Sequence, residues 1–264
     1  MKITVYNDWD HLPKAEGEGE QQVILSWDGE YRKGDVIAFT DLLPDRFYMV
    51  QVDACVPEAL VLIRSDEVLY PVPFYEKKTS YNPLAFFGNR HYLSIRLAES
   101  FEIQAFRNLA KNPFDQHDVS HVYPHASANV ETRGEAVFQA RNAIDGVIAT
   151  QCHGEWPYES WGINRQEDAA FTLDFGRPVD ISEVRLYTRA DFPHDNWWTD
   201  AELSFSDGTA THLTMQKKAG LAHCFPIIRK GITSLCLHDL IKSGEPSPFP
   251  ALTQIEVYGT EHKK

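Results

Sequence analysis

The apolar residues of this chain recur at every second position, in runs too short for helices. Ile3 and Val5 alternate with polar neighbours, as do Val23 and Leu25, and the runs Val36–Thr40, Phe47–Ala54, Ala59–Ser65 and Tyr92–Ala98 follow. A period of two sends one face of a strand inward and the other to water. Phe101–Phe106 (FEIQAF) reads as a further strand that closes this half. Gly-Asp, Pro-Asp and Asp-Gly pairs punctuate several of the runs, and no window of about ten residues holds a helical period. Short alternating strands at this spacing predict a β-sandwich. Pro71–His91 is too rich in prolines and aromatics for regular structure and reads as a long loop, either packed over a sheet or binding a ligand.

The second half repeats the pattern in FTLDFG, EVRLYTR, AELSFSDG, ATHLTMQ, ITSLCLHDL and TQIEVYG, with a Gly-Arg-Pro turn at 176–178 and an Asp-Gly hairpin turn at 207–208. Between the halves, Ala110–Asn129 is irregular, carrying His117, His121 and His125 with Pro124 interrupting any helix through them. The expected architecture is therefore all-β, two β-sandwich (jelly-roll) domains in tandem, 1–114 and 115–264. The endings FEIQAF and QIEVYG resemble each other, which suggests related folds in the two halves.

Composition narrows the partners. A net charge of −13 over 264 residues argues against a nucleic-acid backbone or an anionic membrane, since each needs a cationic face. Cys55, Cys152, Cys224 and Cys236 form no C-x-x-C pair, and MKITVYNDWDHLPK lacks the apolar core of a signal peptide. These features lead to an expectation of free thiols in a reducing, cytoplasmic compartment. No G-x-S-x-G, H-E-x-x-H, Walker or dinucleotide-binding motif is present, and no catalytic residue is nominated.

The densest candidate region is ARNAIDGVIATQCHGEWPYESW (Ala140–Trp161), followed by the polar aromatic loop ADFPHDNWW and the terminal TQIEVYG. Order and spacing here resemble the discoidin (coagulation-factor type C) domain and, within that galactose-binding-like superfamily, the family 32 carbohydrate-binding modules, over roughly residues 120–260. The resemblance implies a galactose-binding-like fold for the C-terminal domain and non-catalytic binding of galactose-type or related sugars through loops at one end of the sandwich. It implies a ligand trio of His153, Arg189 and Asn196. Forked donors read hydroxyl pairs while an aromatic face packs on the C–H surface of a sugar. Trp156, Tyr158 and Trp197 supply aromatic candidates, His194 a further polar one, and Asp191 stands beside Arg189 where it could orient it. Trp161 and Trp198 lead into strands and read as core. The resemblance also implies a structural calcium, with Asp145, Thr150 and Glu256 as ligands. Two alternatives stand beside sugar binding: a small sugar-processing enzyme with its site between the domains and Pro71–His91 as a lid, and a protein-interaction module that has lost the sugar site.

Overall fold

The computed structural model describes residues 1–117, 119–190, 192, 194 and 196–263. The first half contains β1 (Lys2–Asn7), β2 (Pro13–Glu18), β3 (Gln22–Asp28), β4 (Asp35–Thr40), β5 (Arg46–Gln51), β6 (Ala59–Ile63), β7 (Val68–Pro71) and β8 (Arg90–Leu97). Two short strands, β9 (Arg107–Asn108) and β10 (Val122–Tyr123), lie in the segment that follows. One sheet has the order β2-β1-β4-β7 and the other β10-β6-β5-β8-β3, all pairs antiparallel. The period-two residues supply the core between them: Ile3, Val5, Ile37, Phe39 and Tyr70 from one sheet, Val23, Leu25, Tyr48, Val61, Leu93 and Ile95 from the other. Pro71–His91 forms a 3-10 turn at Tyr75–Ser80 and then sends Tyr81, Ala85 and Phe86 into this core.

FEIQAF is not a strand. Ser100–Gln104 forms an α-helical turn, because Glu99 and Glu102 make a reciprocal capping box at its start. Glu102 also takes a two-pronged salt bridge from Arg96, with contacts of 2.8 and 2.6 Å. The likeness between FEIQAF and QIEVYG is therefore one of letters and not of structure.

The second half builds on β11 (His125–Ala128), β12 (Trp161–Gly162), β13 (Phe171–Thr188), β14 (Trp198–Phe205), β15 (Ala210–Thr214), β16 (His223–Lys242) and β17 (Ala251–Glu261). They pair in the order β12-β17-β13-β16-β14-β15, with β11 added to β13 and β9 to β17. The Asp-Gly pair at 207–208 closes the β14–β15 hairpin. The Gly-Arg-Pro triplet does not end a strand. β13 runs on through it for 18 residues, and its register against β16 shifts between Asp174 and Val179. Such bulges bend a strand and let one sheet cover a core from both sides. Trp161, Phe171, Phe175, Trp198, Leu203 and Val257 fill that core, and Trp161 and Trp198 are both fully buried.

The chain passes between the two cores more than once. Leu109 and Ala110 belong to the second core, Phe114, Val119 and Val122 to the first, and Ala126 to the second again. Buried polar groups pin this path. The Asn112 amide donates to the Pro124 carbonyl at 2.7 Å, and the Asp115 carboxylate accepts from His125 Nδ1 at 2.7 Å and from the Ala126 amide at 3.0 Å. Gly176 sits where the halves press together. Its φ is 66°, and a Cβ there would lie 2.2 Å from Cγ of Tyr123 on β10. Gly176→Ala should lower the urea midpoint by the equivalent of at least about 1–3 kcal/mol, since strain and collision add. An unchanged midpoint would show that the two halves can part locally at no cost.

Candidate functional site

At one end of the second sandwich, five stretches of the chain meet around a cavity of about 220 Å³. Its walls come from Thr132, Arg133 and Phe138 ahead of β12, from Gly162 at the end of β12 with Ile163–Arg165 after it, from His153, Arg189 and His194, and from Phe249–Ala251 at the entry to β17. The His153 and His194 rings meet edge to face with centroids 4.5 Å apart, and His194 meets Phe249 at 5.4 Å. Arg189 is 4% exposed; its Nη2 donates to the Phe249 carbonyl, and its backbone amide to the Ala251 carbonyl at 3.0 Å. The Ala190 amide donates to the Thr150 carbonyl at 3.0 Å, which ties the loop carrying His153 to the loop carrying His194.

Of the residues expected to meet a ligand, the structure gathers His153, Arg189 and His194 on this one cavity. Asn196 lies behind its wall. The side chain is fully buried: Nδ2 donates to the carbonyls of Glu245 (3.2 Å) and Ser247 (2.5 Å), and Oδ1 accepts from the Trp197 amide and the Ser243 hydroxyl. With those groups engaged, Asn196 holds the loop that carries Phe249 instead of reading a ligand. Trp197 packs on the second core with Lys217 Nζ 5.7 Å from its ring centroid. Trp156 faces a separate groove with Tyr75, Lys78, Thr79, Tyr81 and Pro83, anchored by its amide to the Thr79 carbonyl at 2.9 Å. Tyr158 is half-buried and lines neither space. Asp191 lies outside the described residues.

Sequence reasoning missed Thr132, Arg133, Phe138, Asn164, Arg165 and Phe249. One signal was available in part: the Ile-Asn-Arg stretch follows, after Gly162, a tryptophan read as core. Its backbone is unusual. Asn164 and Arg165 are both left-handed, with φ of 48° and 61°, and Arg133 across the cavity has φ 53°.

The three side chains expected to hold calcium do not form one shell. Asp145 Oδ1 accepts from the Val147 amide at 2.8 Å, and the Thr150 hydroxyl accepts from the Gly220 amide at 2.8 Å. The residue of β17 that reaches the Asp-Gly turn is Gln254, whose Oε1 accepts from the Gly146 amide at 3.2 Å. Glu256 stands two residues further, roughly 7 Å along the strand, where Tyr187 Oη donates to it at 3.5 Å. The Lys111 side chain lies over Gly146, and both Lys111 and Arg141 place positive charge against Asp145. Among the described residues no three His, Cys, Asp or Glu side chains converge as a metal site.

What Asp145 does have beside it is Glu159, 2% exposed, with no donor in hydrogen-bonding geometry to either carboxylate oxygen. Burial first, and then the charge of Asp145, push the Glu159 carboxyl well above the usual carboxylate range. A carboxyl raised on folding binds a proton that the unfolded chain releases, so its stability cost is absent in acid and grows as pH climbs past the ordinary glutamate range. Glu159→Gln should therefore melt higher than wild type at pH 8, by the equivalent of at least about 1 kcal/mol, with the gap closing towards pH 4. A variant that melts lower at pH 8 would mean that the ionised Glu159 holds a cation.

The cleft between the halves, about 300 Å³, is lined by Pro71–Pro73, Lys77, Ser80, Tyr81, Gln116, His117, Glu131, Gly134, Gln139 and Arg141. Glu131 is the single carboxylate among its described lining residues, and one of its oxygens accepts from the Ala140 amide at 2.8 Å. The carboxylate pair that glycoside hydrolysis needs is not assembled by these residues.

A family described as a domain of unknown function (DUF7402) matches residues 122–244. No curated protein matches the chain. Among solved structures, the chain is similar to chitosan-binding module 1 of a chitosanase/glucanase from Paenibacillus sp. IK-5, with 19% identity over 58% of this chain and 98% of that one and a TM-score of 0.40. It is similar to the lectin domain of Lectinolysin complexed with Lewis B antigen, with 17% identity, 58% and 96% covered and a TM-score of 0.43. It is similar to the family 32 carbohydrate-binding module of C. perfringens NanJ in complex with galactose, with 20% identity, 50% and 91% covered and a TM-score of 0.37.

Proposed function

We propose that this protein binds carbohydrate without transforming it, holding one sugar ring of the galactose type or a close relative in the cavity at the end of the second sandwich. The observation that carries the reading is convergence: His153, Arg189 and His194, from loops separated in sequence, face one cavity together with Phe138 and Phe249. Pockets for drug-sized ligands run to roughly 300–1,000 Å³, so a space of about 220 Å³ suits a single ring better than an extended molecule. Aromatic faces bind the C–H side of a sugar, and imidazole and guanidinium groups at the rim meet its hydroxyls. The galactose-type assignment rests on the match of His153 and Arg189 to the family 32 pattern. Asn196, the third member of that pattern, acts here by positioning the Phe249 wall.

Titration calorimetry against galactose and a panel of related mono- and disaccharides tests the reading. Saturable heat with the sugar recovered intact is the expected result; turnover of the sugar, or silence across the panel, would overturn it. His153 is exposed, so His153→Ala should fold normally and bind roughly five- to tenfold more weakly, in keeping with the ~1–1.5 kcal/mol of one hydrogen bond. Arg189→Ala should lose more, because it removes both a ligand contact and the tie to Phe249.

A further inference from the structure

Among the described residues that line the cavity, the charge is opposite to that of the chain. Arg133, Arg165 and Arg189 contribute to its lining, and none of its described lining residues is a carboxylate, in a chain whose net charge is −13. Like charges gathered in one space repel one another, so Arg165, which makes no ion pair among the described residues, needs a reason to stand there.

Two of these arginines are held in a particular way. The Arg165 guanidinium carbon lies 4.5 Å from the centroid of the Phe249 ring, and that of Arg133 lies 5.8 Å from the centroid of Phe138. Each cation therefore rests against one of the two aromatic walls. Contact with a ring leaves the edge of a guanidinium, where its N–H donors lie, open to an acceptor. Arg133 spends that edge on Glu135, whose oxygens it meets at 2.5 and 2.7 Å. Arg165 makes no ion pair or side-chain hydrogen bond among the described residues. It is nonetheless placed by two consecutive left-handed residues, Asn164 and Arg165 itself. Such backbone costs free energy at each position and persists where it serves a purpose.

We propose that the sugar taken by this cavity carries an anionic substituent, a carboxylate as in a uronic acid or a sulfate ester, and that Arg165 is the residue that reads it. The proposal rests on the carbohydrate reading of the same site and names the class of sugar within it. Arg165 offers paired N–H donors to two anion oxygens at the rim, while Phe249 and Phe138 hold the ring below. A carboxylate or sulfate binds such a fork through two parallel charge-assisted hydrogen bonds, a stronger contact than a neutral hydroxyl can make.

The test compares galactose, galacturonic acid and galactose 6-sulfate by calorimetry on the full chain, for wild type, Arg165→Gln and Arg165→Lys. Wild type should bind at least one of the two acidic sugars roughly ten- to a hundredfold more tightly than galactose, and that preference should shrink at high salt as charges are screened. The ratio of acidic to neutral affinity should fall towards one in Arg165→Gln and to an intermediate value in Arg165→Lys, which keeps the charge and loses the fork. Which acidic sugar wins distinguishes carboxylate from sulfate. Equal wild-type affinities for all three sugars would overturn the proposal and leave carbohydrate binding standing, as would an acidic preference that survives Arg165→Gln. Absence of binding by all three, and by the wider neutral panel, would remove the carbohydrate reading and this proposal with it.

Discussion

The cavity depends on one buried amide. Asn196 has no exposed surface, and every polar atom of its side chain is engaged with the segment from Ser243 to Ser247 or with its own neighbour Trp197. That segment has no regular structure to hold it, and it leads directly to Phe249. Leaving the carbonyls of Glu245 and Ser247 without a donor would cost about 1–3 kcal/mol for each one buried, so the loop follows the amide. Arg189 completes the arrangement from the other side by donating to the Phe249 carbonyl. A wall of the site is thus set from behind by Asn196, which does not line the cavity, and by Arg189, which does.

This explains what could and could not be read from the sequence. Period-two alternation located the strands of both sandwiches, because burial of one face is a local property of a strand. Trp161 and Trp198 were legible as core for the same reason. FEIQAF was misread because two glutamates three apart can cap a helical turn more strongly than alternation can extend a strand. The Gly-Arg-Pro triplet looked like a turn, yet β13 passes through it as a bend, since the sheet on both sides continues. At the site, His153, Arg189 and Asn196 carried the family pattern, of which His153 and Arg189 line the cavity and Asn196 does not. Arg165, Arg133 and Phe249 carried no such pattern, because their importance comes from a meeting of loops that only the folded chain brings about.

The misplacement of Glu256 has a simple geometric source. Gln254 and Glu256 lie on the same face of β17, with Ile255 and Val257 facing the core. Alternation could show that either one points away from the core. It could not show how far along the strand the Asp-Gly turn would land. The register places Gln254 there, and a neutral amide meets a backbone N–H where an acidic side chain had been expected.

The path of the chain between the cores has a consequence for how such a protein can be divided. A module that evolution can copy and paste needs one place where cutting leaves both sides whole. Here Leu109 and Ala110 complete the second core while Phe114, Val119 and Val122 complete the first. Any single scission between them leaves one of the two cores without residues that pack in it.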